Sequence, residues 1–241
     1  MNRYDYLAHI LDSDRTDPGA VFWTALTPDE QQALADLSQE QLFHRDEPLM
    51  RIGEPPICVM VIQSGFAKVL YSDAERTDCL VTVIGPGNLV GEFEAIDGGR
   101  RRATIVALDE TRVYRLSTRK FLDFIEEHRH ADLILKQSLI SRFREVNRMP
   151  LSMASRKPSQ RLALLLLDLL SRYGTDGPEG RCVTVPLTQE EIANWVGVNR
   201  QIVNKLLGSW RSEGILRVAL RQVTVLDADR LLQQAYRRSI G

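Results

Sequence analysis

Four polar side chains near the C-terminal end of the chain have the types and the spacing of a nucleic-acid reader. The set, whose members follow one another at steps of one, three and one residue, consists of Arg200, Gln201, Asn204 and Lys205. These steps place all four on one face of a helix. Arginine and lysine donate to guanine and to phosphates, and a glutamine or asparagine amide pairs with adenine. The chemistry that this set predicts is recognition of base edges and phosphates.

A helix, a turn and a second helix are predicted around these side chains, between residues 187 and 216. Thr188 and Glu191 form a T-x-x-E capping box, which starts a helix. Gly197 permits a sharp turn, because glycine adopts positive φ at little cost, and Asn199 can cap the next helix. Any two-helix corner shares these features. The outward polar set is what favours a DNA-binding helix-turn-helix over a plain structural corner.

Two short alternating segments follow, from Ile215 to Val218 and from Gln222 to Leu226, and they predict a hairpin with Arg221 at its tip. A hairpin behind a recognition helix is a wing. With it, the region resembles the C-terminal half of the Crp/Fnr family of bacterial transcription regulators. The resemblance implies a winged helix-turn-helix. The residues expected to contact DNA are Thr188, Asn199, Arg200, Gln201, Asn204, Lys205 and Arg221.

A glutamate and an arginine flank a short glycine-containing loop in the middle of the chain, in the pairs Gly91-Glu92 and Arg102-Ala103. The carboxylate can accept from a ribose hydroxyl, and the guanidinium can pair with a phosphate. The commoner meaning of two such charges is an exposed salt bridge. The position and the eleven-residue step from Gly91 to Arg102 resemble the phosphate-binding cassette of cyclic-nucleotide-binding domains.

This second resemblance implies that Glu92 takes the ribose hydroxyl, that Arg102 and the Ala103 N–H take the phosphate, and that Asn147 lies near the base. The sequence departs from the family pattern at Glu94, where a small residue is usual. A second carboxylate would repel a phosphate. Cyclic AMP or another cyclic nucleotide is therefore the candidate effector, beside a different effector or none.

Composition and cysteine usage suit a cytoplasmic protein of two modest domains. The chain has 241 residues, of which 44% are hydrophobic and 26% charged. Its three cysteines, Cys58, Cys79 and Cys182, are far apart, which argues against disulfides and against a zinc site. We expect no metal, no membrane segment, since the longest apolar run has six residues (Leu162 to Leu167), and no export signal.

Charge is distributed unevenly along the chain. Residues 1–99 carry 6 basic and 17 acidic side chains, a net charge of −11. Residues 100–160 carry 14 and 7, a net of +7, and residues 161–241 carry 11 and 8, a net of +3. We expect the acidic front part to keep away from DNA and the basic back part to approach it.

Residues 1–40 are predicted to be helical, with a helix start at Thr27-Pro28-Asp29-Glu30. Short strands divided by glycine and proline turns are predicted between about residues 40 and 116, as in a sandwich or roll, and residues 174–181 are predicted to form a loop. A long helix is predicted from about Ala131 to Met149. It carries an apolar stripe made by Leu135, Leu139, Ile140, Phe143 and Val146. Such a stripe suits a seam with a second copy of the chain, and the alternative is a face buried within one chain.

Together these features predict an α+β protein in three parts. An effector-sensing β-roll domain, like a cyclic-nucleotide-binding domain, occupies residues 1–130, a dimerisation helix and hinge occupy 131–158, and the winged helix-turn-helix occupies 159–241. We expect a homodimeric regulator that binds an inverted repeat in double-stranded DNA and works with RNA polymerase. The alternatives are an effector-independent regulator with a vestigial pocket, and an enzyme acting on a nucleotide in the roll, for which we identify no catalytic residue.

Overall fold

The computed structural model describes residues 21–72, 78–148, 156–219 and 222–236, and for residues 143–148 it describes the backbone without the side chains. These residues belong to two compact units, of which the first ends at Asn147 and the second begins at Arg148. The first unit is rich in strands and the second carries a winged helix-turn-helix, so the predicted mixed α and β fold is confirmed.

The first unit begins with two helices, continues with strands and ends with two more helices. In chain order its elements are α1 (Phe22–Ala25), α2 (Pro28–Leu37), β1 (Gln39–Phe43), β2 (Pro48–Met50), β3 (Cys58–Ser64), β4 (Ala67–Ser72), β5 (Asp78–Ile84), β6 (Leu89–Val90), α3 (Glu92–Asp97), β7 (Thr104–Ala107), β8 (Thr111–Ser117), α4 (Thr118–Glu127) and α5 (Arg129–Arg148). The last residue of α5 is the first of the second unit.

Its strands form two antiparallel sheets, ordered β1-β8-β3-β6 and β2-β7-β4-β5. Because side chains alternate along a strand, β3 faces two cores at once. Met60 and its neighbours in alternate positions meet Val69 and Ile105 of the second sheet. Val59 and Val61 on the opposite face join the helical core around Phe121 and Phe124. The first sheet therefore separates the interior of the roll from the helices.

The N-terminal helices are shorter than the sequence suggested. Helix α2 starts at Pro28, as Thr27 and the acids after it predicted, and Thr27 with Glu30 completes a capping box. Residues up to 40 were expected to be helical, but β1 already begins at Gln39 and pairs with β8. Residues 1–20 lie outside the described part of the chain. An aromatic contact packs α1 against β8, because the ring centroid of Trp23 lies 5.3 Å from that of Tyr114.

The second unit wraps a leucine-rich helix with a helix-turn-helix and a small sheet. Its elements are α6 (Pro158–Tyr173), β9 (Gly174–Gly177), β10 (Gly180–Val183), α7 (Gln189–Val196), α8 (Arg200–Ser212), β11 (Leu216–Ala219), β12 (Gln222–Val225) and α9 (Ala228–Tyr236). Leu162, Leu166 and Leu170 of α6 are almost completely buried, and so is Trp210 of α8. The long α6 is thus the centre of this unit's core.

The loop predicted for residues 174–181 is wrong. Strands β9 and β10 form a hairpin there, within a sheet ordered β11-β12-β10-β9. The segment is polar and rich in glycine, so it shows no alternation of its own. It is extended because β10 pairs with β12, whose Val223 and Val225 are buried. Long-range pairing, which the local pattern does not show, decides the structure of this segment.

Within the described residues, no helix has the length and apolar character needed to cross a membrane. In the same part of the chain, no three side chains of His, Cys, Asp or Glu lie close enough together to hold a metal ion.

Candidate DNA-reading surface and effector pocket

The helix-turn-helix is formed as its capping residues predicted. Thr188 and Glu191 complete the capping box of α7, and Gly197 ends that helix with φ of 70°. Asn199 caps α8, because its side-chain oxygen accepts from the backbone N–H of Ile202 at 2.9 Å. Arg161 of α6, which sequence reasoning missed, donates to the carbonyl of Gly197 at 3.4 Å. It thereby ties the turn to the core helix of the unit.

The polar set of α8 lies on one exposed face. Val203, Leu207 and Trp210 are buried, which fixes the rotation of the helix about its axis. The opposite face presents side chains that are all exposed, namely Arg200, Gln201, Asn204 and Lys205. An open depression at the start of α8 is lined by Asn199 and three of these four residues. This face therefore offers cationic and amide donors together.

Thr188 and Asn199, both expected to contact DNA, differ in what the fold leaves free. The Thr188 hydroxyl donates to the Glu191 carboxylate at 2.9 Å and accepts from the Glu191 N–H at 3.1 Å. Its one hydrogen is used, so it cannot donate to a phosphate while the box is closed. Asn199 uses its oxygen as the cap, and its amide nitrogen donates to none of the described residues. Thr188 acts here as a cap, and its contact with DNA stays a prediction.

The predicted wing is present as β11 and β12, which pair from Leu216 opposite Val225 to Ala219 opposite Gln222. The side chain of Arg217 on β11 forms an ion pair with Glu179. Arg221, the predicted tip residue, lies outside the described residues, and its role remains a prediction.

Glu92 sits at the centre of the predicted effector site, and its side chain is fully buried. Its Oε1 accepts from the guanidinium of Arg142 on α5, which also donates to the Leu89 carbonyl at 2.8 Å. Within the described part of the chain, Oε2 of Glu92 has no hydrogen-bond partner. Burial raises the pKa of Glu92, and the charge of Arg142 opposes that rise. A buried carboxylate oxygen without a donor is a place for a hydroxyl of a ligand.

The buried arginine of this site is Arg101 and not Arg102. Arg101 is 4% exposed and donates to the carbonyls of Gly91 and Cys58 and to the Glu94 carboxylate, at 3.1 Å. Arg102 has a largely exposed guanidinium that pairs with Asp97 at 2.7 Å. The contact of Arg102 with a ligand stays a prediction. The exposed salt bridge of Arg102 is formed with Asp97 and not with Glu92, which pairs with Arg142.

The remaining effector residues shape the site. Gly91 has φ of 84°, and a Cβ there would lie 2.6 Å from Met50 and 2.7 Å from Arg101, so glycine is required. Ala103 is half-buried against the interior of the roll. Asn147 belongs to α5, but its side chain lies outside the description. Glu94, which the sequence indicated as an obstacle to a phosphate, forms an ion pair with the buried Arg101.

The stripe predicted for a seam between two copies is divided in the structure. Leu135 is 3% exposed and Leu139 is half-buried, and both belong to the helical core of their own unit. Leu135 is therefore covered within one chain, and a contact of Leu139 with a second copy stays a prediction. Ile140 is 50% exposed, and Leu133, which the prediction omitted, is 52% exposed. Seven residues separate them, so they share the outward face of α5.

Phe143 and Val146 complete the predicted stripe, but their side chains lie outside the description. Their place in a seam between two copies stays a prediction.

Comparison with known proteins agrees with this architecture. Family models match a cyclic nucleotide-binding domain over residues 40–128 and a Crp-like helix-turn-helix domain over residues 160–234. The CRP-like cAMP-activated global transcriptional regulator of Mycobacterium tuberculosis is 29% identical, over 90% of this chain and 96% of that protein. The cyclic AMP receptor protein of Thermus thermophilus is 25% identical, over 90% of this chain and 98% of that protein.

A solved structure of a transcriptional regulator of the CRP family from Thermus thermophilus superposes with a TM-score of 0.67 at 26% identity, covering 81% of this chain and 96% of that one. All three relatives are named as regulators or as a receptor, which favours the regulator over the nucleotide-acting enzyme. With a cyclic nucleotide-binding domain followed by a DNA-binding helix-turn-helix, the chain belongs to the Crp/Fnr family of bacterial transcription regulators.

Proposed function

We propose that this regulator is a cytoplasmic homodimer that binds an inverted repeat in double-stranded DNA, works with RNA polymerase and is controlled by a small effector in the β-roll. The exposed face of α8 carries the proposal, because it presents cationic and amide donors on a helix whose rotation is fixed by its buried side. A dimer with two-fold symmetry would read half-sites about 34 Å apart, or a small multiple of that.

In this proposal the chain divides its work among three segments. Residues 1–130 sense the effector, residues 131–158 form the dimerisation helix and hinge, and residues 159–241 read DNA. Effector binding would shift the population of arrangements of the two reading units. Arg200 is assigned to guanine O6 and N7, Gln201 to adenine N6 and N7, and Asn204 and Lys205 to bases or phosphates.

Selection of binding sites from random DNA tests the assignment of Arg200. Arg200→Ala should weaken binding by about 1–3 kcal/mol and relax the preference at one symmetric base pair. Arg119→Ala is the matched control, since it removes an exposed arginine of the other unit that pairs with Asp123 on the surface. If the selected sites stay equally sharp in Arg200→Ala and Gln201→Ala, α8 does not read the sequence.

In the predicted effector site, Glu92 suits a cyclic nucleotide, whereas the carboxylate of Glu94 opposes its phosphate. When bound, it would supply a ribose hydroxyl and a charged phosphate. Oε2 of Glu92 is the acceptor that such a hydroxyl would use. Arg102 and the Ala103 N–H would take the phosphate, and the buried Arg101 beside them already pairs with Glu94. With Glu92 bound to Arg142 as well, the four charged groups cancel, and an anion gains little by entering.

Calorimetry with cyclic AMP and cyclic GMP tests this balance. Glu94→Gln should raise the affinity for cyclic nucleotide about tenfold, because it removes a like charge from beside the phosphate position. Glu110→Gln is the matched control, since it removes an exposed carboxylate that pairs with the exposed Arg112 and not with a residue of this site. If neither the wild type nor Glu94→Gln shows binding heat, the pocket takes no cyclic nucleotide, and the effector-independent alternative is favoured.

A further inference from the structure

A cavity opens in the roll, at the end where β1 and β2 lie. It has a volume of about 350 Å³ and is lined by side chains of both sheets together with Arg101. Glu92 and Arg142, which form the effector site described above, do not line it. The cavity is therefore a separate space that shares one residue with that site.

An arginine stands on the inward face of the first sheet, beside apolar side chains of the roll interior. Along β8, Val113 and Arg115 point to the same side, and Val113 is part of the apolar interior of the roll. In the pairing with β3, Arg115 lies opposite Met60, which is also interior. Arg115 is half-buried and lines the cavity. A cation in this position needs an anion or water.

No described residue supplies that anion. Arg115 forms no hydrogen bond or ion pair with any side chain or carbonyl in the described part of the chain. Arg112, which points to the other side of the same strand, pairs with Glu110 on the surface. Arg101 at the inner end of the cavity is already bound to Glu94 and two carbonyls. Arg115 is thus a cation of the cavity lining that has no anionic partner among the described residues.

The other lining groups define what such an anion would carry with it. Phe43, Met50 and Met60 give the cavity an apolar wall, and the two methionines can adapt to an irregular chain. The exposed Ile57 lies at the mouth. Glu54 is also at the mouth, where its carboxylate accepts from the Arg51 N–H at 3.0 Å. The lining thus combines polar groups with an apolar side, which suits a ligand that has both an anionic group and an apolar chain.

Gln41 completes the polar end of the cavity. On β1 it lies opposite Val113, one diagonal step from Arg115, and its exposed side chain is on the same face of the strand as the buried Phe43. Its side-chain amide donates to none of the described residues. An amide and a guanidinium at this separation can both donate to one carboxylate.

We propose that this cavity binds an aliphatic carboxylate, with the carboxylate held by Arg115 and Gln41 and the chain packed along the methionine wall. The site goes beyond the nucleotide-controlled function proposed above, because its ligand is of another chemical class and it uses residues outside the Glu92 site. The roll would then bind a second ligand beside the effector.

Calorimetry on the full-length protein with octanoate, hexanoate, octan-1-ol and inorganic phosphate tests the proposal. Octanoate should bind below 1 mM, which would be roughly a −4 kcal/mol interaction or better, and octan-1-ol and phosphate should bind much more weakly. Arg115→Gln should weaken octanoate binding about tenfold to a hundredfold, because it removes a charged donor. Arg112→Gln, the matched control on the outward face, should leave it unchanged.

Ile57→Ala serves as a second variant, since an exposed side chain at the mouth can be shortened without disturbing the core. It should weaken octanoate binding a few-fold and leave phosphate unaffected. The proposal is overturned if wild type binds neither carboxylate below 1 mM, or if Arg115→Gln binds octanoate as well as the wild type does. Titration of the same variants with cyclic AMP and operator DNA keeps the two proposals apart, because Arg115→Gln should leave both of those affinities intact.

Discussion

Asn199 and Thr188 each cap a helix of the helix-turn-helix, yet they leave different atoms for a ligand. The Thr188 hydroxyl uses both its hydrogen and its oxygen within the capping box. Asn199 caps with its oxygen and keeps two N–H donors on a surface that also carries Arg200. Arg101 and Arg102 also differ in their hydrogen-bond partners. The guanidinium of Arg101 donates to groups inside the roll, whereas that of Arg102 is exposed and pairs with Asp97.

Asn199→Asp isolates the amide donor from the cap. Asparagine and aspartate cap helices about equally well, so the free energy of unfolding should change by less than about 0.5 kcal/mol. DNA affinity should fall by about 1–3 kcal/mol, because a carboxylate replaces a donor beside the phosphates. Denaturation and electrophoretic mobility shift measure the two effects. Asn199→Ala should lower both, and unchanged DNA binding in Asn199→Asp would remove Asn199 from the interface.

How far the site could be predicted depends on whether a residue lies in a periodic segment. Helical spacing was enough to place Arg200 and Gln201 on one exposed face. Three successive arginines, from Arg100 to Arg102, lie in a loop that has no period to say which one turns inward. The choice is made by Glu94 and by carbonyls from distant parts of the chain, which the local sequence does not reveal.

At the scale of elements, helix starts were predictable because the capping groups are close together in the sequence. Sheet partners were not predictable. Strand β1 pairs with β8, which lies far along the chain, and β9 pairs with β10 in a hairpin whose residues do not alternate between apolar and polar. One contact joins two helix starts. Glu30 closes the capping box of α2 and also accepts from the N–H of Ala131 at the start of α5, at 3.1 Å. His130 lies 2.8 Å from the same carboxylate.

Glu30→Gln should reduce the pH dependence of stability of the first unit. Burial raises the pKa of Glu30, but hydrogen bonds from His130 and Thr27 outweigh it, and the net shift is downward. The ionised group therefore stabilises the fold above the ordinary carboxyl pKa of about 4.3, and that stabilisation is lost as the pH falls through the lowered value. At pH 7 the variant should be less stable by about 1–3 kcal/mol.

The deficit of Glu30→Gln should shrink below the ordinary carboxyl pKa, where the wild type loses its advantage. Urea denaturation at several pH values measures it, with Glu40→Gln, an exposed carboxylate of β1, as the control. A deficit that stays constant down to pH 3 would contradict the role assigned to the ionised Glu30.

At the scale of the whole molecule, α5 serves two purposes. Its inward face, with Leu135, completes the helical core, and Arg142 reaches the carboxylate of Glu92. Its outward face leaves Leu133 and Ile140 exposed at a seven-residue spacing. The apolar stripe in the sequence mixed these two faces, because periodicity alone does not tell which partner covers an apolar side chain.

Ile140→Asp should convert a dimer into a monomer, since it places a charge in the seam that we propose between two copies of α5. Sedimentation or light scattering at micromolar concentration measures the state of assembly. Leu122→Asp, which changes an exposed leucine of α4, is the control and should remain dimeric. A monomeric wild type would contradict the proposed dimer, and a dimeric Ile140→Asp would show that the dimer interface lies elsewhere.

The three tryptophans are divided between the two units, which has a spectroscopic consequence. Trp23 contacts Tyr114 in the first unit, while Trp195 and the buried Trp210 belong to the helix-turn-helix. Fluorescence of a Trp23→Phe variant would therefore report the melting of the DNA-binding unit alone. A variant with both helix-turn-helix tryptophans replaced by phenylalanine would report the sensing unit. Intrinsic emission can thus separate two transitions that a single melting temperature would merge.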